Sequence, residues 1–276
     1  MGPRLFGIPA REASVVAVIR RGPSEWSHVS RWDLTTGELA SGAWLHGTIY
    51  PQRTDLSPDG RWLAVFILKG NAGWSVGDTY LSISRLPWLT ALAAWSTGGT
   101  WTRGIHFVEP AEHALRSEPD HGELGPLRRR YGLAGTRPET FSVERRTGWV
   151  ETATTPDRSP SDHWDEARAD AVVMQRTRPG ATGPLLTVAG RYAAFRDNAP
   201  AWGEPAYGVG WATEQASLDD VQWADWSADG QLLVATKHGR LQVREAPFDT
   251  GSATWERDVS ADRPDPAPAP PEAREW

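Results

Sequence analysis

Asp55-Leu56-Ser57-Pro58-Asp59-Gly60-Arg61-Trp62-Leu63-Ala64-Val65 and Asp225-Trp226-Ser227-Ala228-Asp229-Gly230-Gln231-Leu232-Leu233-Val234-Ala235 carry one pattern, D-x-S-x-D-G followed by an apolar strand. Asp-Gly supplies the positive φ that a tight hairpin requires, and a serine or aspartate side chain can bond the turn backbone. One strand therefore enters each turn and a second leaves it. The pattern recurring far along the chain marks a repeat architecture.

Working outward, a second hairpin signature appears. Arg31-Trp32-Asp33-Leu34-Thr35-Thr36-Gly37-Glu38-Leu39 reads as strand, Thr-Gly turn and return strand. Similar turns stand at Ser96-Thr97-Gly98-Gly99, Arg146-Thr147-Gly148-Trp149 and Asp249-Thr250-Gly251-Ser252. Their glycines are 61, 50 and 103 positions apart, so one turn is missing near position 200, where Asp197-Asn198-Ala199-Pro200 is itself turn-rich. Units of roughly 50 residues divide the chain into five. Gly60 and Gly230 agree, since 170 positions separate them. Helical periodicity is scarce. Short β-rich runs recur instead, at Ser14–Ile19, Trp26–Trp32, Trp62–Leu68, Thr79–Ser84, Gln231–Thr236 and Arg240–Arg244. The expected fold class is all-β, a five-bladed β-propeller of four-stranded antiparallel blades, with six blades as the alternative. The last blade is expected to use Val221–Ser227, Gln231–Thr236, Arg240–Glu245 and Ala253–Val259.

The Ser57-Pro58-Asp59-Gly60 turn and its partner Ser227 to Gly230 resemble the blade motif of TolB-like and WD40-like propellers. The chain also resembles a group of uncharacterised bacterial proteins. The similarity runs through Arg20–Ser24, Arg31–Asp33, Gly42–Trp44, Asp55–Gly60, Ser84–Leu92 and Trp223–Trp226. That resemblance implies a lineage and contributes no function.

Composition narrows the function classes. The 276 residues carry a net charge of −6, with no cysteine and sixteen tryptophans. Disulfides and thiolate metal sites are excluded. An acidic balance argues against a general nucleic-acid surface, which needs clustered cations to replace phosphate counterions. Arg128-Arg129-Arg130 is the local exception and reads as a solvated charge run. No apolar run reaches membrane-helix length, and Met1–Ile8 is too short for a signal peptide. The expected location is cytoplasmic. Residues 1–262 are read as one propeller domain and 263–276 as a Pro-rich tail, either loose or docked back through Trp276. Glu109–Arg130 reads as a charged stretch with a short helix, and Thr152–Asp162 as a loop.

Candidate chemistry is thin. Gly73-Trp74-Ser75-Val76-Gly77 matches G-x-S-x-G, but a nucleophile elbow needs a following helix and a strand is expected there. His113, His121 and His163 lack metal-ligand spacing. Asp55, Asp225, Asp219 and Asp220 sit on or beside innermost strands, where a propeller glycosidase would place paired carboxylates. The same aspartate in two blades points instead to a structural role. Arg85 and Trp88, flanking Pro87, suit a recognition rim, because Trp and Arg dominate binding hot spots. Asp55, Trp223 and Asp225 complete the candidate binding set. The expectation is a non-enzymatic scaffold for another protein, with no cofactor and no metal. A glycoside hydrolase or carbohydrate-binding protein using central carboxylates and tryptophans is the alternative.

Overall fold

A computed structural model describes residues 2–70, 76–100, 102–136, 141–155, 171–180, 185–191, 210–214, 217–245 and 253–276. It is all-β, with five sheets among the described residues, which succeed one another along the chain except that β11 of the second sheet falls between the two strands of the third. Sheet one runs β1 (Arg4–Pro9), β2 (Val15–Arg21), β3 (Trp26–Asp33) and β4 (Leu39–His46), in that order. Sheet two contains β5 (Thr48–Ile49), β6 (Asp55–Leu56), β7 (Trp62–Leu68), β8 (Thr79–Arg85) and β9 (Ala91–Ser96), with β11 (His121–Gly122) at its outer edge. Sheet three is the pair β10 (Ile105–Val108) and β12 (Gly132–Gly135). Sheet four is a meander of β13 (Val150–Thr155), β14 (Ala171–Thr177), β15 (Leu185–Arg191) and β16 (Gly210–Thr213). Sheet five repeats that meander with β17 (Val221–Trp226), β18 (Leu232–Thr236), β19 (Arg240–Arg244) and β20 (Ala253–Asp258). None of the sheets closes into a barrel.

The two D-x-S-x-D-G segments make the turns their chemistry dictates. Gly60 has φ +71° and Gly230 φ +75°. The Ser57 hydroxyl oxygen accepts from the Trp62 N–H (2.9 Å), and that of Ser227 accepts from the Gln231 N–H (3.0 Å). The Gly60 and Gly230 N–H groups donate back to the Ser57 and Ser227 carbonyls. The Thr-Gly turn works differently. There the Asp33 carboxylate accepts from the Thr35 and Thr36 N–H groups, and Gly37 closes the turn at φ +74°. All four strands foreseen for the last unit form within a residue or two of their expected ends.

Two compact units divide these elements. One holds residues 8–137 and 263–276. Its core packs Trp62, Phe66, Ile83 and Trp95 of sheet two against Ile105, Phe107 and Leu133 of sheet three and Leu127 of the helical turn Leu127–Arg130. The other holds residues 1–7 and 138–262, and buries Trp223, Trp226 and Leu232 together with an edge-on pair, Trp149 and Trp211. Within this unit the N-terminal residues rest on sheet five. Gln222 donates to the Pro3 carbonyl (3.1 Å), and Gly7 lies so close to the Trp223 ring that a Cβ would collide with it.

Two segments depart from their sequence reading. Thr152–Thr155 is not loop but the second half of β13, because its threonines suit a pleated surface and pair with β14. Residues 156–162 lie outside the described residues, as do Asp197–Pro200 and the turn at Asp249–Ser252. The stretch from 263 is docked rather than loose. Ala273 is fully buried, and the Trp276 ring lies 5.3 Å from that of Trp62. No described helix is long and apolar enough to cross a membrane.

Candidate functional site

The repeated aspartates occupy equivalent stations, each at the head of a D-x-S-x-D-G turn. Asp55 opens the short strand β6 and is buried. Its carboxylate accepts from the Phe107 N–H of β10 (2.8 Å) and lies 3.8 Å from the Arg11 guanidinium. Arg11 in turn donates to the Phe107 carbonyl (3.2 Å), so one acid and one base clamp both sides of a single residue. Asp225, at the end of β17, is equally buried. It accepts from its neighbour's Trp226 N–H (2.8 Å) and pairs with Arg176 of β14. The Trp226 indole donates to the Arg176 carbonyl (3.1 Å), and Arg178 donates to the Gly230 carbonyl (2.6 Å) beside the same ring. Burial pushes the Asp225 carboxyl above the usual carboxylate range, while Arg176, the Trp226 N–H and Trp149 pull the other way.

Asp55 and Asp225 thus lie in different units, each bonded to an arginine and to backbone N–H. Trp223, two residues before Asp225, is buried against Gly7. Asp219 and Asp220 serve the turn before β17 and sheet five. The Ser217 hydroxyl donates to Asp219, and Arg244 pairs with Asp220 at 2.8 Å. Sequence reading missed Arg11 and Arg176. The available signal was an arginine at or just beyond a strand end, one sheet away from each D-x-S-x-D-G aspartate.

Arg85 and Trp88 come together in one turn at the end of β8. The Trp88 N–H donates to the Arg85 carbonyl (2.7 Å), and both side chains are half-buried. Arg85 sits 5.1 Å over the Trp62 ring, which also carries Trp276. The Pro87 carbonyl accepts from the Ala43 N–H (3.1 Å), so the turn is pinned to β4 and Gly42 has no space for a side chain. Pro87 stands outside the strand ladder, as a residue lacking an N–H must.

A third cluster was not foreseen. Strand register places Arg20, His28 and Trp44 in one row across sheet one. His28 stacks on Trp44 with centroids 4.3 Å apart and bonds the Ser41 hydroxyl (3.0 Å). The Arg20 guanidinium lies 5.4 Å over Trp44. Burial first, and then the Arg20 charge, lower the His28 pKa to about 4. A lone histidine in an alternating strand gives no sign of this, because the row exists only after pairing.

The remaining candidates are placed plainly. Gly73–Ser75 of the G-x-S-x-G match lie outside the described residues, and a strand, β8, follows Gly77. His163 is also outside them. The His113 ring accepts from the Leu133 N–H (3.0 Å), and His121 sits in the exposed edge strand β11. No group of three metal-ligating side chains forms among the described residues. Arg128 and Arg130 meet Glu118 and Asp59. The described tryptophans pack. Trp32, Trp62, Trp95, Trp149, Trp211, Trp223 and Trp226 are buried, and Trp26, Trp44, Trp88, Trp255 and Trp276 are half-buried. Comparison of the chain with protein-family models, curated proteins and solved structures finds no match.

Proposed function

We propose that the chain is a five-bladed β-propeller that serves as a binding scaffold for another protein. Five sheets among the described residues, three of them four-stranded in simple chain order, support the architecture. The observation that carries the function is a contrast between repeated and unrepeated residues. Asp55 and Asp225 recur at equivalent turns and are engaged in bonds that tie strand to strand. Arg85 and Trp88 belong to no repeat and stand half-exposed in one turn that is itself held rigid by Pro87 and Ala43. A rigid edge bearing Arg and Trp is the kind of surface on which binding energy concentrates. A carboxylate-driven hydrolase needs both acids facing one cleft. Their engagement in the sheets favours the scaffold over that alternative.

The test is affinity capture from the native host with the tagged chain, followed by reconstitution with the purified partner. A stoichiometric partner, captured at least tenfold less by Trp88→Ala or Arg85→Glu, supports the reading. A clean monomer without partner, or a partner indifferent to both changes, overturns it.

A further inference from the structure

Segment 263–276 belongs to the unit formed with residues 8–137. Most of it is exposed, including Pro266, Ala267 and Pro268. Within it, the Ala273 N–H donates to the Pro270 carbonyl (3.0 Å), and Arg274 to the Ala269 carbonyl (3.3 Å). The Ala273 methyl, fully buried, and the Trp276 ring three positions later reach into the unit. Ala273 lies in the single helical turn Pro271–Arg274, and extended backbone at Glu275 carries the chain on to Trp276.

The receiving surface is shaped for this. Trp276 lies against Trp62, whose other neighbour is the Arg85 guanidinium. Gly125 has φ +43°, and a Cβ placed there would stand 3.1 Å from the Trp276 ring. The indole is therefore seated on bare backbone, with Trp62 as its wall. This is how a pocket holds a peptide anchor: one buried aromatic, one small residue, and a proline-rich lead-in that loses little entropy on ordering. A strap that is mostly exposed is also the part of a fold that opens first.

We propose that the surface formed by Trp62, Arg85 and Gly125 is a peptide-recognition site, occupied in cis by the chain's own segment 270–276. The partner it fits is a proline-rich segment carrying a small residue and, three positions on, a tryptophan. Such a segment enters by displacing the strap. This inference rests on the scaffold reading and names the partner's chemistry.

The test uses a fluorescent peptide of residues 263–276 against three forms of the full chain: intact, Trp276→Ala, and wild type cut at a protease site placed within 264–268 after folding. The Trp276→Ala chain binds the peptide roughly tenfold or more tightly than the intact chain does, because its site is vacant. The cut chain exchanges its own fragment for the peptide, which covers the case in which Trp276→Ala does not fold. A peptide with the same tryptophan replaced by alanine binds none of them. Equal binding to intact and Trp276→Ala chains, or no exchange into the cut chain, overturns the proposal. Exchange without any captured protein partner leaves the peptide site standing and sinks the scaffold. Capture that depends on Trp88 but ignores the peptide does the reverse.

Discussion

His28 makes the stability of sheet one pH-dependent in a direction the structure fixes. The residue is only 5% exposed and stacks between Trp44 and the influence of Arg20, so its pKa falls from 6.5 to about 4. In the unfolded chain it takes a proton near 6.5, whereas in the fold it resists protonation until about 4. The unfolded state therefore binds more protons throughout that window, and stability drops as pH falls through it. Worked through linkage, the loss relative to neutral pH is on the order of 1 kcal/mol at pH 5.5 and roughly 2 to 3 kcal/mol at pH 4.5. Carboxylates titrate in the same range, so the clean measurement is a difference. Wild type and His28→Gln, which can still bond Ser41 but does not titrate, are unfolded in urea at pH 7.5, 5.5 and 4.5 and followed by tryptophan fluorescence. The gap between them should shift by those amounts in favour of the variant as pH falls. A gap that stays constant across the three pH values refutes the reasoning, because His28 would then titrate alike in both states.

Two further outcomes follow from the buried polar groups. Asp55→Ala strands the Phe107 N–H and Asp225→Ala strands Arg176, so each should cost about 3 kcal/mol in urea unfolding; a loss under about 0.5 kcal/mol would mean the carboxylates are not structural. Ser82 and Ser84 point buried hydroxyls from β8 that have no hydrogen-bond partner among the described residues. Replacing either with alanine should raise the melting temperature, by up to about 1 kcal/mol of stability, and a marked fall would reveal a bond these hydroxyls make.

Local chemistry was decided by the sequence. Asp-Gly and Thr-Gly turns need only their own residues: Gly60, Gly230 and Gly37 adopt positive φ because no Cβ opposes it, and the adjacent serine or aspartate completes the turn from within five positions. The strands around them, and the whole of sheet five, were legible for the same reason. Thr152–Thr155 was not, since polar residues on an exposed strand look like a loop until a partner strand lies beside them. The site was less legible than the fold. Arg85 and Trp88 could be singled out by type, yet only packing shows that Arg85 lies on Trp62 and that Trp276 returns to the same ring. The pairing of Asp55 with Arg11 and of Asp225 with Arg176, and the row Arg20–His28–Trp44, join residues on different strands. Their spacing in the chain holds no period, because strand register and sheet packing bring them together, and those are set by the burial of many side chains at once.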